Sequence, residues 1–519
     1  MSLSLGSPVW SFCYLVVLIG LTGYGLHRCC IIYLFLKHRK NSPEPHSRFA
    51  ELPRITVQLP LYNEASVAPR LLRAVGALDY PADKLEIQVL DDSTDDTSRL
   101  VAEEVRVLRA AGITITHIQR INREGYKAGA LAHGIELGTA DLIFILDADF
   151  VPPPNTLRKT VDYFTDPGLA LVQMRWGHLN RKQSLLTRLQ AMFLDGHLLL
   201  EQTARCHSGR FFNFNGTAGI WRREAIVEAG GWHNDTLTED LDLSYRAQLK
   251  GWRFLFLPDL VIPAELPEEM NGFKSQQKRW TKGSIQTCLK ILPRVWEASI
   301  PLIVKLEATA HLTSNFAYLL LVLMCVLTLP HALGPKQSAT YSMLVDLPIF
   351  LVTTVSIAIF YIVAQRHLNP KGWIKDLLLL PMLLALATGM SVNNSLGVLE
   401  ALFKKGGEFT RTPKRGDAHQ TIQQASASTV HCSPPNTAPF RRFLPPPTLS
   451  LRSFLPAIEI LFALYFGYCT WNAGLTRQWM SIPFLLILLG GFFYVALNSL
   501  GQLPSWSGFT RREHSEAVN

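Results

Sequence analysis

The segment ILDADFVP, Ile145 to Pro152, runs an apolar stretch into two carboxylates, Asp147 and Asp149, with one small residue between them. Buried carboxylates are strongly disfavoured unless a cation or a hydrogen-bond donor meets them. A strand ending in two acids must therefore deliver them to an edge, a partner or a ligand. Their hard oxygens suit Mg²⁺ or Mn²⁺, above all where phosphates complete the shell. The plain alternative is a strand-end turn with solvated acids. A second pair, Asp91-Asp92 in VLDDSTDDT, has acceptors suited to a base or a ribose. A helix start with Ser93, Thr94 and Asp95 as capping residues is the other account. It suits Asp95 and Asp96 better than the earlier pair.

Three more places carry chemistry. Thr238-Glu239-Asp240 opens the helical pattern LDLSYRAQLKG. Capping accounts for Thr238 and Glu239, while Asp240 is a candidate general base for an attacking hydroxyl. In Gln276-Gln277-Lys278-Arg279-Trp280, Arg279 suits a diphosphate and Trp280 offers a flat face to a sugar ring. An amphipathic helix beside a membrane is the alternative. Lys127, in REGYKAGAL, is either a solvated helix lysine or one that reaches phosphate from the sheet edge.

These residues need a scaffold, and the region from Arg54 to about Gly283 reads as one. RITVQL, EIQVL, ITITHI and LIFIL read as strands with helical patterns between them, such as SRLVAEEVRVLRAAG. Strands alternating with helices imply a mainly parallel sheet, whose ligands gather beyond the carboxyl ends of the strands. Both acidic pairs then belong to the same sheet edge.

The remainder of the chain reads as membrane protein. Of 519 residues, 48% are hydrophobic and only 18% charged, and mean hydropathy is positive. An apolar segment at 9–36 ends in the basic stop KHRKN and reads as an anchor whose C-terminal end is cytoplasmic. His27 and Arg28 interrupt it. A soluble domain at 50–300 follows. Further spans are expected at Ala310–Pro330, Met343–Ala364, Phe454–Gly474 and Ile482–Leu500, each near the ~20 residues a bilayer core needs. Trp373 to Phe403 has basic flanks on both sides and contains Pro381, Asn393 and Asn394. An interfacial helix is preferred there, with a fifth crossing as the alternative. Residues 415–450 read as a polar, proline-rich linker, and 501–519 as a tail. The formal charge of +9 fits cytoplasmic flanks facing anionic lipid, and nothing resembles a nucleic-acid groove. The eight cysteines form no disulfide framework, and Cys29-Cys30 reads as a buried thiol pair rather than a metal site.

Taken in order, QLPLYNE, VLDDSTDDT, GYKAGAL, DADF, FNFNGTAGIWRREA, TED and QQKRW resemble the family 2 glycosyltransferases of the cellulose synthase superfamily. The resemblance runs from Arg54 to Lys282. It is greatest to the cellulose synthase-like A and C groups of mannan and glucan synthases and their bacterial relatives. It implies a nucleotide-sugar-binding GT-A α/β domain inserted between an N-terminal transmembrane helix and a C-terminal helical membrane region. It also implies roles. Tyr62, Glu64, Asp91 and Asp92 would hold the nucleoside, and Lys127 the diphosphate. Asp147 and Asp149 would bind sugar nucleotide and metal, with Asp149 ahead of Asp147 as direct ligand. Asn215, Gly216 and Thr217 would shape the donor and acceptor pocket. Asp240 would be the base, and Gln276, Arg279 and Trp280 would hold diphosphate and acceptor sugar.

Phe409-Thr410-Arg411-Thr412-Pro413-Lys414 resembles the family's gating loop, F-x-V-T-x-K, with Arg411 in place of valine. A polymer channel between the membrane helices is implied; a PilZ-like domain is not, for the stretch after Leu500 is short. The activity implied is a processive, inverting, metal-dependent β-glycosyltransferase. It would build a β-1,4 mannan, glucan or glucomannan from GDP-mannose or UDP-glucose and pass it through its own helices. Transfer of one sugar to a lipid such as diacylglycerol or ceramide is the first alternative, and an inactive membrane scaffold the second. The expected setting is a multi-pass membrane protein with a cytoplasmic catalytic domain, in a bacterial inner membrane or a plant-like Golgi.

Overall fold

A computed structural model describes residues 8–332, 343–344, 347–403, 414, 416 and 451–501. Seven strands form one sheet: β1 (Ile55–Leu61), β2 (Leu85–Asp91), β3 (Ile115–Gln119), β4 (Leu142–Ile145), β5 (Leu169–His178), β6 (Gly219–Arg222) and β7 (Arg253–Ala264). Their order is β3-β2-β1-β4-β6-β5-β7. The four expected strands form its parallel half, with β1 between β2 and β4. β6 alone runs antiparallel, to both β4 and β5. The sheet is thus mixed and mostly parallel.

Period-two alternation fixes which side chains meet which layer. Leu142 and Phe144 of β4 join Val57, Leu59 and Leu61 of β1 in one buried cluster. Ile143 and Ile145 face the other way, onto Leu171, Trp221 and Phe256. Each such side chain contributes about 1.5–3 kcal/mol on burial, so β4 is a rigid mount clamped on both faces. Register then places the chemistry. Leu61 pairs with Asp91, and Ile145 lies opposite Gln58. The residues that follow β1, β2 and β4 therefore emerge at one edge of the sheet.

Strands β5 and β7 escape a reading of alternation for a physical reason. Pro258 and Asp259 interrupt β7, and the register with β5 shifts between Met174 and Arg175. A proline cannot donate to the ladder, so the strand bulges there; Arg175 Nε donates to the Pro258 carbonyl at 2.7 Å across the bulge.

Among the described residues, four helices are long and apolar enough to cross a membrane: Pro8–His38, Leu351–Leu368, Phe454–Leu475 and Trp479–Leu500. Two bent pairs would bring the number to six. The expected span Ala310–Pro330 is one of these pairs, Leu302–Thr313 and Phe316–Ala332, bent by 57°. The break falls at Ser314-Asn315, polar residues that an average over the apolar run conceals. Trp373–Phe403 resolves into Trp373–Leu377, Leu380–Gly389 and Ser391–Phe403, the last two bent by 41°. Leu380–Gly389 packs on Ile482–Leu500, and Ser391–Phe403 on the long helix Met270–Glu297 that follows the sheet. The Asn393 amide donates to the Lys274 carbonyl at 2.9 Å. Cys29 and Cys30 correct the expectation of a buried pair: both are exposed on the outer surface of the first helix. Phe409, Thr412 and nearly all of the linker lie outside the described residues.

Candidate active site

A cleft opens at the sheet edge where β1, β2 and β4 end. Its walls include Tyr62, Glu64, Asp92, Lys127, Asp147, Asp149, Asn215, Gly216, Asp240, Gln276, Arg279, Trp280 and Lys414. Residues from eight separate stretches of sequence thus meet in one space. Asp91 does not join them. It is 2% exposed and accepts hydrogen bonds from His117 Nε2, Ser93 N and Ser98 Oγ at 2.8, 2.9 and 2.6 Å. Burial alone would raise its pKa, but these donors prevail and hold it down to about 2. Asp91 supports the loop from within, and Asp92 is the member of the pair that reaches the cleft. Arg120 grips the Asp92 carboxylate through Nε and Nη2 at 2.9 and 2.5 Å. Arg123, not anticipated from sequence, lies 3.3 Å above the Tyr62 ring and lines the same wall. Its signal was position: it precedes Lys127 in the loop that opens at the sheet edge.

The two acids after β4 are each met by a cation. Lys127 Nζ sits 2.5 Å from Asp147 Oδ1 and donates to the Gly216 carbonyl at 2.9 Å. Burial works against the ammonium, but Asp147, Glu239 and Asp240 outweigh it and raise its pKa. Asp147 N donates to Thr217 Oγ1 at 2.9 Å. Lys414 Nζ lies 2.7 Å from Asp149 Oδ2 and also donates to the Glu265 carbonyl. Glu265 is itself paired with Arg70 at 2.5 Å. Thr217 is buried, whereas Asn215 Oδ1 accepts from Gln202 and Asn213 at 2.8 and 3.0 Å, which fixes the amide's orientation. Gly216 has φ +80°, and a Cβ there would stand 3.0 Å from Asp240 Oδ2. The turn needs glycine both for its left-handed backbone and for its closeness to that carboxylate.

Asp240 lies in the first turn of the helix Glu239–Leu249, where Oδ1 accepts from Leu241 N at 2.8 Å. Desolvation, then the neighbouring Glu239, push its pKa up to about 7, against the pull of Lys127 and Arg279. A carboxylate so placed can take a proton near neutrality. Thr238 makes no capping bond, contrary to expectation; its hydroxyl meets Thr287 Oγ1 at 3.1 Å, on the long helix. Gln276, Arg279 and Trp280 stand on that helix, with Gly283 one turn further on. Spacings of three and four put them on one face. A Cβ at Gly283 would come 2.8 Å from Thr238 N and 2.6 Å from its Cγ2. Gly283 is thus what lets the Arg279 helix approach the turn that carries Asp240. Gly283→Ala should displace that turn by a fraction of an ångström or more. It should lower kcat by about ten- to a hundredfold, since misplacements near 1 Å cost on the order of 10²-fold. An unchanged kcat would show that the approach is not needed.

A second cavity adjoins the cleft and shares Trp176, Asn215, Thr238, Asp240, Gln276 and Trp280 with it. It continues to His311, Asn315, Tyr318 and Asn394, on helices of the membrane region. Asp240 therefore stands where the two spaces join. Another cluster, His233, Asp235 and Asp242, has metal-ligand spacing. Lys290 already lies 2.8 Å from Asp235 and 2.9 Å from Asp242, so the cluster is neutralised from within.

The chain resembles known proteins in sequence and in fold. Residues 53–283 match the family described as "Glycosyltransferase like family 2". The chain is 34% identical to "Glucomannan 4-beta-mannosyltransferase 7" of Arabidopsis thaliana, over 75% of this chain and 72% of that one. It is 32% identical to "Probable glucomannan 4-beta-mannosyltransferase 9" of Oryza sativa subsp. japonica, over 89% and 84%. Its fold resembles that of the mannosyltransferase PcManGT of Pyrobaculum calidifontis, solved with GDP-Man and Mn²⁺, with TM-score 0.51 and 20% identity over 76% of this chain and 99% of that one. The chain is a nucleotide-sugar-dependent hexosyltransferase of membrane type and belongs to glycosyltransferase family 2, in the cellulose synthase-like group of the glucomannan 4-β-mannosyltransferases.

Proposed function

We propose that the protein is a processive inverting glycosyltransferase that extends a β-1,4-linked mannan or glucomannan. The relatives' names support a mannosyl donor, and GDP-mannose, the nucleotide sugar bound in the PcManGT structure, is the one assigned, with UDP-glucose as second donor for a mixed chain. The observation that carries this reading is the position of Asp240, at the joint between a cation-lined cleft and a second cavity leading toward the membrane helices. Nucleoside fits beside Tyr62, Glu64, Asp92 and Arg123; diphosphate fits beside Lys127 and Arg279. The acceptor hydroxyl attacks the anomeric carbon from the side of the second cavity. Asp240 takes its proton, the bond from the anomeric carbon to the phosphate oxygen breaks, and the nucleoside diphosphate leaves with the electron pair. Attack opposite the leaving group inverts an α-linked donor to a β-linkage.

The residues present fit a divalent cation. Asp149 offers an oxygen that already holds a cationic nitrogen at 2.7 Å, and Asp147 stands two residues away. Asp149, with Asp147 beside it, would hold Mg²⁺ or Mn²⁺, which when bound supplies charge neutralisation to the diphosphate. Lys414 occupies the same oxygen, so the two cations compete. Lys414→Met should tighten Mn²⁺ binding by roughly three- to tenfold, because the site no longer has to release the ammonium first. Mn²⁺ titration followed by electron paramagnetic resonance reads this directly; an unchanged affinity would show that Lys414 does not compete.

The packing of Ser391–Phe403 along the catalytic-domain helix Met270–Glu297 supports the interfacial reading of that segment. The catalytic domain then faces the cytoplasm. To test the function, the full chain in lipid nanodiscs is incubated with each of GDP-mannose and UDP-glucose and nucleotide release is measured. The reading expects release from GDP-mannose. Release from UDP-glucose alone would overturn the donor assignment.

A further inference from the structure

Two indoles line both the cleft and the second cavity: Trp280, which belongs to the QQKRW motif, and Trp176, which belongs to none. Trp176 lies near the end of β5 and lines both the cleft and the second cavity. Two contacts fix its ring. Phe150, next to Asp149, packs edge-on at 5.4 Å and 75°. Its Nε1–H points to the carbonyl of Thr217, 3.4 Å away, on the residue whose hydroxyl accepts from Asp147 N. The indole is thus braced against both sides of the Asp147–Asp149 turn and remains only half-buried.

The structure assigns Trp176 the surface on which the terminal hexose of the acceptor rests, a reading that depends on the glycan-extending function proposed above. The cations suited to diphosphate, Lys127 and Arg279, line the cleft and not the second cavity. The second cavity is lined instead by the carboxyl groups of Glu201 and Asp240, which disfavour a phosphate, so the group that spans both spaces is uncharged, and between donor and product that group is a sugar. A pyranose has an apolar C–H face, and a fixed indole matches it at little entropic cost. The second cavity runs on to the polar side chains Asn315 and Asn394, so the sugar reaching Trp176 from that side belongs to the acceptor. Trp280 and Trp176 would then both bound the space in which the attacking hydroxyl meets Asp240.

The full chain in nanodiscs, with GDP-mannose and a soluble β-1,4-linked manno-oligosaccharide as acceptor, separates the two sugars. Trp176→Leu should raise the acceptor KM by about tenfold, the scale of one lost aromatic contact. The GDP-mannose KM and the affinity for GDP should stay within about twofold, the size of a change too small to reflect a lost contact. Trp176→Phe, which keeps a flat ring, should recover most of the acceptor affinity. An unchanged acceptor KM in Trp176→Leu would overturn the assignment, as would an equal rise in both KM values. Loss of GDP binding in that variant would also overturn it, because the indole would then be holding the cleft together. If the wild-type protein glycosylates lipid and ignores the oligosaccharide, the proposed function fails instead, and the two failures are distinguishable.

Discussion

Asp240→Asn should leave nucleotide binding intact and lower transfer by about 10²- to 10⁴-fold, the usual range for loss of a positioned base. The amide has nearly the same shape and still accepts from Leu241 N through its oxygen, so the variant should fold. What it lacks is an acceptor for the proton of the attacking hydroxyl. The same carboxyl dictates a pH dependence. Its pKa is raised to about 7 by desolvation and by Glu239. Below that value it is mostly protonated and cannot act as a base; above it the active carboxylate dominates. On that account kcat/KM rises through neutrality and at pH 6 stands about tenfold below its alkaline plateau. The rise should vanish from the residual activity of Asp240→Asn. Glu239→Gln removes the second cause of the shift and should move the rise to lower pH. A flat profile between pH 6 and 8 in the wild-type enzyme would contradict the assignment of Asp240.

Arg279→Gln is the second large effect. Arg279 lies one helical turn before Gly283 and shares the cleft with Asp147, Asp240 and Glu239. Burial lowers its pKa while those three acids oppose the shift; a guanidinium remains charged at neutral pH regardless. As the bond to phosphate breaks, negative charge grows on the departing diphosphate, and a fixed cation is worth most at that moment. Losing it should lower kcat by about 10²- to 10³-fold. Arg279→Lys should fall between, since it restores charge without the planar fork. If Arg279→Gln moved only the donor KM, the residue would bind ground state and transition state alike, and its role in leaving-group departure would be wrong.

Much of this site is legible in the sequence because strands act as rulers. Once LIFIL and EIQVL are read as parallel strands of one sheet, Asp92 and Asp147 must emerge at one edge, and the register of both with β1 shows it. Spacing along a helix is equally legible, which is why Gln276, Arg279 and Trp280 fall on one face. The rest depends on contacts between distant segments. Nothing local separates Asp91 from Asp92, since the difference is made by His117 and Arg120 arriving from β3 and the loop after it. Trp176 sits on a strand whose partner is bulged at Pro258, so its alternation is broken and its facing is hidden. Lys414 reaches Asp149 across 265 residues of chain. The bend at Ser314-Asn315 escapes hydropathy because two polar residues barely lower the mean of an apolar run, yet they break the helix.

The most direct test of the central claim is linkage and length analysis of the product made by the purified full chain in nanodiscs from GDP-mannose, with Mn²⁺ present. The account predicts a β-1,4-linked chain of many mannose residues, absent from the Asp240→Asn protein. A product confined to one mannose on a lipid, or a product with α-linkages, would contradict it.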